Sequence, residues 1–162
     1  MFLVDSHCHL DSLDYEKLHK NIDDVVEKAQ QRDVKYMLAV ATTLPGFKNM
    51  RELIGKRDNV AFSCGIHPLN LDEGHDVAEL ARLAAEADVV ALGETGLDYY
   101  YQQENASLQR EIFREHIRIG RQVNKPVIVH TRSAREDTLT ILKEEKVQDC
   151  GGVLHCFTED KI

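Results

Sequence analysis

Apolar positions along this chain follow two alternating rhythms, short unbroken runs and stripes that recur every three to four residues. The runs are Phe2-Leu3-Val4, Tyr36 to Thr42, Val60 to Gly65, Val89-Val90-Ala91-Leu92, Pro126-Val127-Ile128-Val129 and Gly151-Gly152-Val153-Leu154. Apolar runs of this length, bounded by polar or glycine residues, predict strands buried on both faces, as in a parallel sheet. The stripes predict one-sided helices between them. They comprise Tyr15, Leu18, Ile22, Val25, Val26 and Ala29, then Phe47, Met50, Leu53 and Ile54 after Pro45, then Val77, Leu80, Ala81 and Ala84. Leu108, Ile112, Phe113, His116, Ile117, Gly120 and Val123 form a long fourth stripe, and Leu139 and Leu142 indicate a fifth. Asp11, Ser12 or Asp14 is available to cap the first helix. Gly93 and Gly96 free the backbone after Leu92 and are expected to end the fourth strand there.

Six strand-helix units in strict alternation define an α/β fold, either doubly wound or a (β/α) barrel. No low-complexity stretch, charge block or linker divides the chain, so residues 1–162 are read as one domain. Composition agrees, because 43% hydrophobic and 30% charged residues supply a core and exclude a disordered chain. The sequence enters its first strand with no basic stretch and no apolar segment long enough for a signal or a membrane span. A cytoplasmic protein without a membrane partner is expected. Cys8, Cys64, Cys150 and Cys156 lie in or beside strand-like runs without a C-x-x-C pair, and are read as reduced core thiols. The net charge of −8 argues against a broad electrostatic grip on duplex nucleic acid, since such binding is built from Lys and Arg. Bound divalent cations could still supply positive charge locally.

Candidate chemistry gathers at the strand ends. Side chains alternate along a strand, so His7 and His9 emerge on one side, roughly 6.6 Å apart, and their imidazoles can converge on a cation. Two ordinary strand-end histidines give the same local pattern. His67 follows the third run, Glu94 the fourth, His130 the fifth and His155 the sixth, whereas His19, His75 and His116 fall elsewhere and are read as solvated or core histidines. A barrel gathers the carboxyl ends of all its strands around one mouth, where an open sheet would spread them along an edge, so these residues favour the barrel. Imidazole with carboxylate suits Zn²⁺, Mn²⁺ or Fe²⁺ over an all-oxygen cage.

At this point the motifs carry a resemblance. Asp5-Ser6-His7-Cys8-His9, Gly65-Ile66-His67-Pro68, Gly93 to Tyr99 (Gly-Glu-Thr-Gly-Leu-Asp-Tyr), Pro126 to Arg132 (Pro-Val-Ile-Val-His-Thr-Arg) and Gly152 to Phe157 (Gly-Val-Leu-His-Cys-Phe) match motifs of one family. The chain resembles the TatD family of metal-dependent deoxyribonucleases, which are amidohydrolase-like TIM barrels. The resemblance implies two divalent ions, zinc, manganese or magnesium, one on His7, His9 and Glu94 and the other on Glu94, His130 and His155. Members of that family run to the ~250 residues typical of a TIM barrel and carry a last-strand Glu-Thr-Asp motif that this sequence does not contain. The expected fold is therefore a TIM barrel truncated to about six strand-helix units of eight, which associates with a copy of itself or with a separate carboxyl-terminal fragment.

The resemblance further implies phosphodiester hydrolysis of DNA, taken as a single strand or by its end, through a water activated between two metals. Glu94 and His67 are the catalytic candidates. Arg132 and Asp98 are read as substrate-binding candidates, contacting a phosphate or supporting a ligand, although a solvated loop is nearly as ordinary a place for Arg132. Two rival functions remain at this level, an amide or aminoacyl-ester hydrolase using the same metal chemistry, and a non-catalytic metal-binding or assembly fragment. Tyr99, Tyr100 and Tyr101 are expected to pack beneath the following helix, with stacking on a base as the alternative.

Overall fold

The computed structural model describes residues 1–158 of the chain. Six strands form one parallel sheet in sequential order: β1 (Leu3–Cys8), β2 (Val34–Val40), β3 (Val60–Cys64), β4 (Val89–Asp98), β5 (Val127–Arg132) and β6 (Gly152–Leu154). Helices α1 (Ile22–Gln31), α2 (Leu44–Ile54), α3 (Val77–Ala84), α4 (Ala106–Val123) and α5 (Arg135–Glu144) make the crossovers. The sheet curls into a half-barrel, far enough that the rings of His7, on β1, and His155, just after β6, stack with centroids 3.5 Å apart. That is the truncated TIM-barrel architecture expected of the sequence.

Alternation along the strands separates two apolar layers. Met37 and Ala39 on β2, and Val127 and Val129 on β5, pack against the helices. Leu38, Val40 and Ile128 point to the opposite face, where they meet Ala91. The helix-side layer is the larger, with Phe47, Met50, Leu80, Leu83, Phe113, Ile117 and Ile141 all but inaccessible. Burying side chains of this size stabilises the fold by about 1.5–3 kcal/mol each. The sheet has β1 and β6 as its edges, and there Leu3, Val4 and Val153 are exposed.

Two of the boundaries that differ from the sequence reading have a clear physical cause. The first helix begins at Ile22, not near Tyr15, because Asn21 caps it by accepting the Asp24 N–H at 2.9 Å. Asp14, a candidate cap, instead accepts the N–H groups of Glu16 and Lys17 and closes a turn, while the Tyr15 hydroxyl donates to the Leu10 carbonyl at 2.5 Å. The second difference concerns β4, which continues six residues past Leu92, through both glycines. Those glycines are sites of close approach and do not break the strand. A Cβ on Gly93 would lie 2.7 Å from the Ile128 carbonyl oxygen, and one on Gly96 would collide with the His130 carbonyl oxygen. Both have positive φ, a conformation that side-chain-bearing residues rarely adopt.

The cysteines are free thiols, but not all belong to the core: Cys64 is buried, Cys8 and Cys150 are half-buried and Cys156 is exposed. Burial pushes the thiols of Cys8 and Cys64 up to about 12. His116 is a core histidine in full. Its Nδ1–H donates to the Ile112 carbonyl at 2.7 Å and its Nε2 accepts the Ile66 N–H at 3.0 Å, which ties α4 to the residue preceding His67. Among the described residues no helix is long and apolar enough to cross a membrane.

Two outcomes follow from this packing. Gly96→Ala combines positive-φ strand backbone with a collision and should lower stability by about 2–4 kcal/mol in urea denaturation. Gly74→Ala, whose added methyl meets nothing within 4 Å despite a φ of 117°, should cost less. Burial lowers the His116 imidazole to about 4, against about 6.5 for an unfolded histidine. Between those values the unfolded chain binds a proton that the native ring refuses. The stability His116 contributes is therefore complete above pH ~6.5 and lost as pH falls towards 4, by about 3 kcal/mol in all. The gap in urea midpoint between parent and His116→Gln should narrow over that window, and a gap independent of pH would contradict this account.

Candidate metal centre

Glu94 sits at the middle of the curled sheet's mouth. It lies within β4 and is 5% exposed. One oxygen, Oε2, faces His7 Nε2 at 3.4 Å and the other, Oε1, faces His130 Nδ1 at 3.5 Å. Burial works against charge on this carboxylate. The facing nitrogens of His130 and His7 and the nearby His67 outweigh it, and Glu94 is held far below the ordinary carboxylate range.

The close packing of β3, β4 and β5 at the glycines brings this carboxylate within reach of its neighbours. Gly65, just after β3, approaches so near that a Cβ there would stand 2.5 Å from Gly93 Cα. The result is two groups of potential ligands sharing Glu94: His7, His9 and Glu94, and His67, Glu94 and His130, each with its ligand atoms within 4.8 Å of one another. A divalent cation fits the first group on an independent ground. His7 Nε2 is buried and has no hydrogen-bond partner, although it points at a carboxylate, and such an orphaned imidazole nitrogen is costly unless something binds it. Imidazole with carboxylate is also the donor set for zinc, manganese or iron.

The far nitrogen of each histidine reveals how its ring is set. His9 Nδ1 lies 3.0 Å from the Val40 carbonyl, which only accepts, so the proton sits on Nδ1 and Nε2 keeps its lone pair. His130 Nε2 is held by Asp98 Oδ2 at 2.9 Å, leaving Nδ1 towards Glu94. Burial opposes a proton on His130, but Glu94 and Asp98 together raise its pKa. A metal taking Nδ1 would have to displace that proton. His67 is different. Its Nδ1 accepts the Leu69 N–H at 3.1 Å, so the neutral ring carries hydrogen on Nε2, and burial keeps it neutral by lowering its pKa to about 4.

The remaining sequence candidates fall as follows. Asp98 is fully buried, with Oδ2 on His130 and Oδ1 accepting the N–H groups of Tyr100 and Tyr101 at 3.1 and 2.9 Å. It stands behind His130 and has no surface open to solvent. His155 stacks flat on His7, and its Nε2 lies 3.3 Å from Cys156 Sγ. The group around Glu94 and His130 contains His67, where the resemblance implied His155. Arg132 is exposed at the end of β5 with its guanidinium carbon 4.2 Å from the Tyr100 ring centre and 4.9 Å from that of Tyr101. Only Tyr99 packs as expected, half-buried against the core with its hydroxyl donating to Asp137 at 2.6 Å. Tyr100 and Tyr101 are 62% and 61% exposed, because the Asp98 turn that captures their N–H groups directs them away from α4.

The model of the family described as TatD related DNase matches residues 4–162. The uncharacterized metal-dependent hydrolase YcfH of Escherichia coli strain K12 is 71% identical over 161 residues, 99% of this chain and 61% of the relative. The 3′-5′ ssDNA/RNA exonuclease TatD of Shigella flexneri serotype 5b is 33% identical over 141 residues, 86% of this chain and 54% of that protein. Among solved structures, YjjV, a TatD homologue from E. coli K12, superposes with a TM-score of 0.82 at 26% identity, covering 98% of this chain and 61% of that one. The chain thus spans about three fifths of the length of YcfH and of YjjV. With a family model matched from the first strand onward and a relative of such high identity, this chain belongs to the TatD family.

Proposed function

We propose that the chain carries the metal-binding part of a hydrolase that cleaves phosphodiester bonds of DNA, taking a single strand by its 3′ end. The observation that carries this reading is one buried carboxylate, Glu94, whose two oxygens face His7 on one strand and His130 on another. Two divalent ions bound there would polarise a phosphodiester and lower the pKa of a water. Glu94 offers one oxygen to each group, with His7 and His9 completing one and His130 standing in the other. Asp98 fixes the ring of His130, as a carboxylate behind a metal-ligating histidine does. His67 presents Nε2–H and suits donation to a phosphate oxygen or a leaving group, while Arg132 adds a cation at the rim.

The choice of a nucleic-acid strand over other esters draws support from the Shigella relative, named as an exonuclease on single-stranded DNA and RNA. A net charge of −8 fits a substrate held locally, by ions and a few side chains at a strand end. The exposed apolar edges β1 and β6 support pairing with further strands, from a longer polypeptide or from a second copy.

Two results test the site. Elemental analysis of the dialysed His7→Ala/His9→Ala protein should show at least one metal ion fewer per chain than the parent, and equal metal content would remove the basis of the proposal. Glu94→Gln in the full-length protein should lose on the order of 100-fold or more in hydrolysis of an oligodeoxynucleotide with a free 3′ end, with circular dichroism unchanged, because a neutral amide bridges two cations poorly. Parallel assays on amides and aminoacyl esters decide the bond class. Turnover of those without cleavage of the oligonucleotide would replace the nuclease reading with the carbonyl one.

A further inference from the structure

At the rim of the mouth Arg132 shares a cluster with Tyr100 and Tyr101, two residues that the metal chemistry does not use. The two rings meet edge to face, with centroids 4.8 Å apart. Arg132 lies over both of them, and its Nη1 donates to the Tyr101 hydroxyl at 3.4 Å. Both tyrosines are nevertheless exposed to solvent. Adjacent tyrosines left bare beside a site are unusual, since their apolar faces gain by burial, and here Tyr99 alone turns into the core.

Two further observations give the cluster a direction. Acidic residues outnumber basic ones by 28 to 20, yet Arg132 has no carboxylate partner among the described residues. The aromatic faces hold its charge in place without neutralising it. The cluster is also fixed relative to the metal ligands by one side chain. Asp98 accepts the backbone N–H groups of both tyrosines through Oδ1 and holds His130 through Oδ2, so the backbone that carries the rings is tied to the site by a fully buried carboxylate. An exposed aromatic pair, a guanidinium with no carboxylate partner among the described residues and a backbone tie to His130 together match an unpaired nucleobase with its adjoining phosphate.

We propose that Tyr100, Tyr101 and Arg132 form a platform for single-stranded nucleic acid, on which the rings stack a base while the guanidinium takes the neighbouring phosphate. The proposal rests on the nuclease reading and names how that site takes its substrate. Stacking on aromatic rings is tolerant of sequence, because every base has a π-face, so the platform selects strands with free bases and reads no particular order. In a duplex the same faces are already covered by neighbouring bases.

The test uses the full-length holoenzyme and fluorescence anisotropy with labelled single strands whose 3′ linkages are phosphorothioates, which slow cleavage. One strand carries normal bases and the other carries abasic residues near its 3′ end. The parent should favour the base-bearing strand by about tenfold or more, as expected of one or two stacked bases. Tyr100→Leu/Tyr101→Leu should bring that preference close to one, and Tyr100→Phe/Tyr101→Phe, which keeps the rings, should restore most of it. Equal binding of both strands by the parent, or a Leu variant that weakens both strands alike, would overturn the platform. Failure of the parent to cleave ordinary single strands would defeat the nuclease reading instead, while the anisotropy comparison would still decide the platform.

Discussion

A buried carboxylate between imidazoles is the constraint on which this half-barrel's mouth depends. Moving Glu94 out of water carries a penalty of several kcal/mol unless charge or hydrogen bonding compensates it. The compensation comes from different strands: His7 from β1, His130 from β5 and His67 from the turn after β3. Those strands converge only if the sheet curls and packs closely around β4. Gly65, Gly93 and Gly96 permit that approach, since any Cβ at these positions meets the backbone of a neighbouring strand. Local backbone chemistry and long-range electrostatics therefore act on the same few residues.

The periodicity argument was accurate where burial alone decides structure. All six strands lie where apolar runs are found, and helices α2 to α5 form where stripes recur, because each is a surface between a wet face and a core, although α5 buries Thr138 and Ile141 where the stripe names Leu139 and Leu142. It failed where a polar contact took over from burial. Tyr15 and Leu18 keep the helical spacing but precede the Asn21 cap that starts α1. Glycines signal a break in a one-dimensional reading, whereas in β4 they serve three-dimensional proximity, which no local pattern encodes.

The boundary of β4 hid how two of the named site residues act together. With β4 ending at Leu92, Glu94 and Asp98 look like two loop carboxylates of unrelated orientation. Within a strand running to Asp98 they stand four residues apart on one face, both reaching His130, one oxygen of each on opposite ring nitrogens. His7, His9, Glu94 and His130 were legible as strand-end residues because a parallel barrel must gather strand ends. The support of Ile66 by His116 was not legible, since α4 carries that ring at helical spacing like any core residue and the contact spans fifty positions.

The histidines at the mouth show why residue type alone does not assign a role. An imidazole presents a lone pair to the site only if its other nitrogen holds the proton, and what lies behind the ring determines that. Behind His9 is the Val40 carbonyl and behind His130 is Asp98, acceptors both, so each ring can offer a bare nitrogen forwards. Behind His67 is the Leu69 N–H, a donor, which inverts the ring and sends N–H forwards. The three rings are chemically identical and lie around one carboxylate, yet two are prepared as ligands and one as a hydrogen-bond donor. The distinction resides in backbone groups and in one buried aspartate, so any exchange of roles between His67 and His130 would require rebuilding the loop after β3 as well as the end of β4.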